Sequence, residues 1–437
     1  MTERYLKSIL PDSLTGLIFG FEGVEKAVTI LNGPTGCKFY HSSVSDSRMI
    51  RQEEFDPLNF PELWYFGQPR VPCTYLDKKD YVYGSEGKLT ELIGFIKSEL
   101  APPLLTVVNS PGAALIGDDL ERIVSAAAGD IPFLTVETPG YSRPVWEGFS
   151  EACCRLIRLL ASEQNKAPAA RPRVNLLGLS LFHRNYEGDL EELKRDLALC
   201  GIDVNCALAC GCTPEDIRRL PAADLDLVID PLYGKAAADL LEERFGIPQL
   251  TAEGLPVGFT AMEELMDRVC GALQGLGFAA DPAPFREASE RARARSFVFL
   301  SRTNSLTGLP KGTPFAVQGT LPEVLGYTRF LVRYFGMTAA AAEVLSPLEG
   351  EAGDALLSLL SENGMEAALT ADILEAPAEL VFGDGNLIAM LKARGRAFAG
   401  IETALPTLGY NDVIPKTHLG IRGGLLLCEQ VLNGLLY

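Results

Sequence analysis

A chain of 437 residues, 47% apolar and 22% charged, is long enough to bury several cores without disulfides or structural metal, and its composition is that of a globular protein. A formal charge of −18 with no basic run argues against nucleic-acid binding, and no stretch approaches the roughly 18 uninterrupted apolar residues of a membrane span. The opening Met1 to Ser8 lacks the apolar region of a secretory signal, so a cytoplasmic location is expected, and the ten cysteines read as reduced thiols suited to an anaerobic or strongly reducing cytosol rather than as a disulfide framework.

Along the chain, short apolar strands alternate with amphipathic helices, the pattern of parallel sheets covered by helices on both faces. Strands are expected at Leu104 to Val108, Phe133 to Val136, Val174 to Leu179, Val204 to Leu208, Leu225 to Ile229, Phe315 to Val317, Leu380 to Phe382 and Ala397 to Ile401. Helices are expected at Leu89 to Leu100, Leu190 to Leu199, Ala236 to Phe245, Ala261 to Leu276, Leu321 to Phe335 and Leu387 to Arg394. A polar, Pro- and Ala-rich stretch from Ser162 to Pro172 and a charged helix from Pro284 to Arg295 mark boundaries. The expectation is an α/β protein of three doubly wound parallel-sheet domains, at 1–170, 171–290 and 291–437.

Two thiols stand out by context. Cys37 follows an apolar run, Ala27 to Leu31, that Gly33, Pro34 and Gly36 stop abruptly, and Cys73 sits in Val71-Pro-Cys-Thr ahead of the loop from Asp80 to Leu89. Such turns can present a sulfur to a metal cluster. Cys153, Cys154, Cys200, Cys270 and Cys428 lie within helix patterns and read as core packing. Cys206, Cys210 and Cys212 have even numbers, so along an extended strand their sulfurs could share a face; a metal-free sulfur-lined pocket or plain core is the leading expectation, and a second metal site the alternative.

Only His41, His183 and His418 are present, too few for a His-rich metal centre. His183 follows a strand at a turn where ligands collect in such sheets, and would suit proton donation; an ordinary loop histidine is the alternative. Arg184, Tyr186 and Lys235 are further pocket candidates by position, while Asp118 and Asp119 read as caps of the following helix. Gly33 to Lys38 has the wrong spacing for a phosphate loop, so any ATP-driven step belongs to another protein.

The turns at Cys37 and Cys73, together with Val107-Val-Asn-Ser-Pro-Gly-Ala-Ala-Leu-Ile-Gly-Asp-Asp-Leu120, resemble the cysteine loops of nitrogenase component 1 subunits and their relatives. Asn175 to Asp189, Leu199 to Cys206, Arg244 to Pro248 and Gly420 to Gly424 resemble later landmarks of that family, so the likeness covers nearly the whole chain. Ser110 stands where the family's third cysteine would fall. The resemblance implies a [4Fe-4S] cluster at a subunit interface, with two thiolates from each of two copies in a homodimer. A heterodimer with a related subunit, or Ser110 or Asp118 as an oxygen ligand, is the alternative.

It also implies a transient iron-sulfur ATPase as electron donor, with a second metal cofactor or a tetrapyrrole-type substrate in a cleft between domains. Asp230 and Tyr410 stand where the dinitrogen-reducing subunit holds its cofactor with a cysteine and a histidine, so dinitrogen is not the expected substrate. The leading expectation is the catalytic component of a nitrogenase-like, ATP-dependent reductase. A non-catalytic scaffold for assembly or carriage of a metal cofactor is the other.

Overall fold

The computed structural model describes residues 11–37, 71–137, 143–163, 170–405 and 413–436. The first unit runs α1 (Ser13–Glu22), β1 (Val28–Asn32), α2 (Asp80–Tyr83), α3 (Glu86–Glu99), β2 (Leu105–Asn109), α4 (Pro111–Ala114), α5 (Leu120–Ala128), β3 (Phe133–Val136) and α6 (Val145–Leu160). The second runs β4 (Arg173–Leu177), α7 (Tyr186–Leu199), β5 (Asp203–Ala207), α8 (Pro214–Arg218), β6 (Leu225–Val228), α9 (Pro231–Phe245), β7 (Gln249–Thr251) and α10 (Gly258–Gly275). A long helix, α11 (Ala283–Thr307), leads to the third: β8 (Pro314–Gly319), α12 (Leu321–Phe335), β9 (Thr338–Val344), α13 (Gly350–Glu362), β10 (Leu380–Asp384), α14 (Gly385–Ala393), β11 (Ala399–Ala404) and α15 (Gly420–Leu436).

Each unit holds one sheet, ordered β1-β2-β3, β5-β4-β6-β7 and β11-β10-β8-β9, and every paired strand is parallel. Parallel strands need crossovers, and the helices that supply them cover the sheets with apolar stripes. The protein is therefore α/β with three parallel sheets and flanking helices. The residue after the first segment's expected end at 170 begins the lead into β4, while position 290 falls inside α11.

All eight expected strands are present, Phe133–Val136 with both ends as expected and the others with one or both ends shifted by one or more residues. Three more were not expected. The run ending at Leu31 is itself β1; β7 has three residues; and β9, Thr-Ala-Ala-Ala-Ala-Glu-Val, is held as a strand by its pairing with β8 despite an alanine content that favours helix.

The second and third sheets are wound in both directions from a central strand. Their order reverses between β4 and β6 and between β8 and β10, so loops at the carboxyl ends of these strands diverge and leave crevices.

Candidate functional site

Asn32, the last residue of β1, ties the cysteine loops together. Its amide nitrogen donates to Asn109 Oδ1 at 2.8 Å and Ser85 Oγ at 3.1 Å, and its Oδ1 accepts from Thr74 Oγ1 at 2.8 Å. Thr74 Oγ1 accepts in turn from the Gly33 N–H at 3.0 Å. All four side chains are buried, so each bond replaces water that folding removed. Ser85 donates from its backbone and hydroxyl to Asp118 Oδ2 at 2.6 and 2.7 Å. Asp118 therefore does not cap the following helix as expected; Asp119 does, accepting the Arg122 N–H at 3.0 Å.

Within this frame three expected positions converge. The Cys73 loop pairs with β1 through a parallel bridge to Leu31; the thiol donates to Gly33 O at 3.1 Å, and the Tyr75 N–H points at its sulfur from 3.5 Å. Cys37, half-buried, lies in a helical turn just after Pro34. Burial pushes its thiol up, against a hydrogen bond with Ser110 that pulls it down. Ser110 is fully buried at the end of β2, with its N–H on Asn32 O at 2.8 Å and its Oγ accepting the Ala113 N–H at 3.3 Å as the cap of α4.

A Cβ at Gly33 would stand 2.6 Å from Ser110 Oγ and 3.7 Å from Cys37 Cβ, so the close approach of the loops requires glycine here. Beside the corner, Val82, Tyr83 and Leu115 are 73%, 86% and 88% exposed. Two thiols and one hydroxyl thus share a corner ringed by exposed apolar side chains. Thiolate is the preferred ligand of iron-sulfur clusters, and the Tyr75 N–H on Cys73 is the kind of bond that tunes one, so the donor set fits half the ligands of a four-iron cluster.

The second cysteine group is arranged differently. β5 ends at Ala207, and Ala209 takes φ +54°, so the alternation that would align three sulfurs stops before Cys210. Cys206 hydrogen-bonds Cys212, whose sulfur also receives the Ala209 N–H at 3.3 Å, and Cys210 is buried apart in the field of Cys212 and Asp189. The Cys212 contact and burial push the Cys206 thiol up, and burial does the same to Cys210. Among the described residues no group of three or more His, Cys, Asp or Glu gathers to hold a metal ion. Cys153, Cys200, Cys270 and Cys428 are buried and Cys154 is half-buried.

The crevices of the second and third sheets face each other across an open pocket of about 130 Å³. One wall is aromatic, from Trp146 at the start of α6, Phe182 and Tyr233; Phe182 stacks on Phe19 at 4.2 Å. The other carries Gln318, Thr320 and Glu323 from the β8 end and Asp384 from the β10 end. Glu323 is the acid of a capping box with Thr320, and burial pushes its carboxyl up, as it does that of Asp384. Among the described residues no lysine or arginine lines this space.

His183 enters the same pocket from the loop after β4. Its Nδ1 accepts the Ser180 N–H at 3.1 Å, which leaves the proton on Nε2, 3.3 Å from Asp230 Oδ2. Burial alone would lower the pKa of the ring; the bond to Asp230 and its charge override this and raise it. Asp230 is also the cap of α9, accepting the Leu232 N–H at 2.9 Å. Gly178, at φ +86°, permits the approach, since a Cβ there would lie 2.2 Å from Asp230 O.

The other positional candidates fall outside this pocket. Lys235 pairs with Asp239 on the exposed face of α9, and the Tyr186 hydroxyl donates to Glu187 at 3.1 Å. Arg184 makes a buried 2.6 Å ion pair with Glu402 and lines a separate cleft with His418 and Lys416. His41 and Tyr410 lie outside the described residues. Sequence reading missed Trp146, Glu323 and Asp384. A Thr-x-x-Glu capping box directly after the strand at Phe315 to Val317 was the available signal for Glu323.

A family model for nitrogenase component 1 type oxidoreductases matches residues 14–436. A light-independent protochlorophyllide reductase subunit of Methylobacterium radiotolerans is 28% identical over 317 residues, covering 72% of this chain and 57% of that protein. Its counterpart from Synechococcus sp. is 30% identical over 336 residues, covering 72% and 60%. The chain thus matches less than two thirds of the length of these relatives. Among solved structures, "Nitrogenase Cp1 at pH 6.5" superposes with a TM-score of 0.75 at 16% identity, covering 98% of this chain and 93% of that one, a likeness of fold. From the match over nearly its whole length, the chain belongs to the nitrogenase component 1 type oxidoreductase family.

Proposed function

We propose that the chain is the catalytic component of a nitrogenase-like reductase whose electrons come from a separate iron-sulfur ATPase. The observation that carries this reading is the convergence of Cys37, Cys73 and Ser110 at the ends of β1 and β2, set in exposed apolar surface. Cys37 and Cys73 would hold a [4Fe-4S] cluster, which supplies one-electron transfer when bound. Two thiolates leave the ligand set half complete, so a second chain contributes the rest; a homodimer does this by symmetry, a heterodimer through a related subunit. The domain from the amino terminus to about residue 170 carries this corner, and the pocket is enclosed by the domains at 171–290 and 291–437 together with Pro144, Val145 and Trp146 of the first.

Substrate binds in that pocket. An aromatic wall opposite buried carboxyls, with no lysine or arginine among the described lining residues, suits a flat molecule entering by an apolar edge, and the protochlorophyllide reductase relatives make a tetrapyrrole the first class to test. His183 holds a proton at Nε2 against Asp230, and Glu323, whose carboxyl burial pushes up, offers a second acid.

Iron and acid-labile sulfide on protein purified without oxygen test the reading. About two irons per chain are expected, lost in both Cys37→Ala and Cys73→Ala. Full iron in both variants would overturn it.

A further inference from the structure

The chain between Cys73 and α3 is held in a shape it would not adopt alone. Val71 and Tyr75, on either side of the cysteine, take φ +53° and +50°, a region that residues with a Cβ disfavour and that persists only where neighbours over-determine it. Lys88 of α3 is one such neighbour: its ammonium donates to Tyr75 O at 2.9 Å and pairs with Asp80 at 2.7 Å and Asp77 at 3.3 Å. Asp80 in turn accepts the Asp77 N–H at 2.6 Å, and Asp77 Oδ1 accepts the Lys79 N–H at 2.7 Å, which closes the turn and starts α2. Since α2 is a single turn with no buried residue, these bonds rather than core packing set where its side chains stand.

They place Tyr81 across the cysteine corner. Its hydroxyl lies over Gly112, 2.9 Å from where a Cβ there would stand, on the turn that Ser110 caps. There the phenol is in the field of both Cys37 and Cys73, and burial first, then those two sulfurs, push its pKa up. Among the described residues the hydroxyl makes no hydrogen bond.

We propose that Tyr81 is a positioning residue for a [4Fe-4S] cluster at Cys37 and Cys73, its hydroxyl donating a hydrogen bond to that group and so raising its reduction potential; this rests on the cluster reading above. A phenol has one proton to donate, and the sulfurs beside it oppose its loss. Reduction adds negative charge to a cluster, and a donor set against growing negative charge favours the reduced form. The exposed apolar ring of Val82, Tyr83 and Leu115 adds to the effect, because a second chain covering it removes the water that competes for the donor.

Potentiometric titration with dithionite, read by electron paramagnetic resonance on protein loaded with iron and sulfide without oxygen, tests it in wild type, Tyr81→Phe and Tyr83→Phe. Each variant loses only the hydroxyl of an exposed side chain, so the fold is kept. Tyr81→Phe is expected to hold as much iron as wild type and to reduce at a more negative potential. At the poise that half-reduces wild type it should show about tenfold less reduced cluster, the effect of one hydrogen bond to a charged acceptor. Tyr83→Phe, altered at a side chain 86% exposed on the same turn, is expected to match wild type. A loaded Tyr81→Phe with the wild-type midpoint overturns the inference and leaves the cluster reading standing, as does an equal shift in both variants. Loss of iron from Tyr81→Phe also overturns it, since the oxygen would then be a ligand rather than a donor. A wild type that takes up no iron overturns the cluster reading, and the role of Tyr81 with it.

Discussion

Asp189 gives a direct handle on the polar seam between the second and third units. It is buried on α7, and its Oδ1 accepts from Thr417 Oγ1 at 2.7 Å and from the His418 N–H at 3.3 Å. Burial nevertheless dominates these bonds and pushes its pKa up to about 7. In the unfolded chain an aspartate ionises near 3.9, so between about pH 4 and pH 7 the folded state holds a proton that the unfolded state has lost. Stability must then fall with rising pH across that window, by about 1.4 kcal/mol per unit, to a full cost of ~4 kcal/mol above pH 7. Asp189→Asn keeps an oxygen acceptor for Thr417 and His418 but cannot ionise. The variant should therefore gain on wild type by about 2 kcal/mol between pH 5.5 and pH 8, a range clear of the pI near 4.8. Urea unfolding followed by circular dichroism at both pH values measures the gap. A gap that is the same at pH 5.5 and 8 refutes the reasoning, since it would mean that Asp189 carries its charge in the folded state at both.

Two further substitutions probe the buried ion pair between the second and third units and the loop that carries His183. Arg184→Met removes the guanidinium that pairs with buried Glu402, at a cost of about 3–5 kcal/mol, and pairing it with Glu402→Leu should recover much of the loss; denaturation of the two single variants and the double reads the coupling, and a strictly additive double would count against a mutually dependent pair. Gly178→Ala forces a side chain into φ +86° and against Asp230 O, so it should lower the melting temperature by several degrees and release the ring of His183; an unshifted melt and an unchanged His183 resonance would show that the loop has room.

The alternation of strand and helix was legible because apolar runs such as Val174 to Leu179 and Leu225 to Ile229 are short, branched and bounded by turn residues, and parallel sheets bury such runs on both faces. β9 was not legible, since four consecutive alanines carry helix propensity and only the register with β8 decides their state. The cysteine corner was legible in its residues but not in its geometry: nothing local in Asn32 announces that one side chain will bind Ser85, Asn109 and Thr74 from three separate segments. For Cys206, Cys210 and Cys212 the period-two reading assumed a strand that the left-handed Ala209 ends.

The pocket was the least legible feature, and the reason is general to this architecture. Parallel strands deliver the chain to helix N-termini, where orphan N–H groups demand an oxygen, so polar caps follow several strands, at Ser110, Thr213, Asp230, Thr320 and Asp384, whether or not they serve a ligand. Asp230, the Thr320–Glu323 box and Asp384 are all such caps, and in sequence they look like Asp119 or Thr213, which cap helices elsewhere. What distinguishes them is that β4, β6, β8 and β10 are the strands at which two sheets reverse their order. Reversal spreads the neighbouring loops apart, and two reversals facing each other leave an opening that packing does not fill. The capping oxygens, already required by the helices, are then the acids and acceptors that the opening presents, and His183 joins them because Gly178 lets its loop close against Asp230.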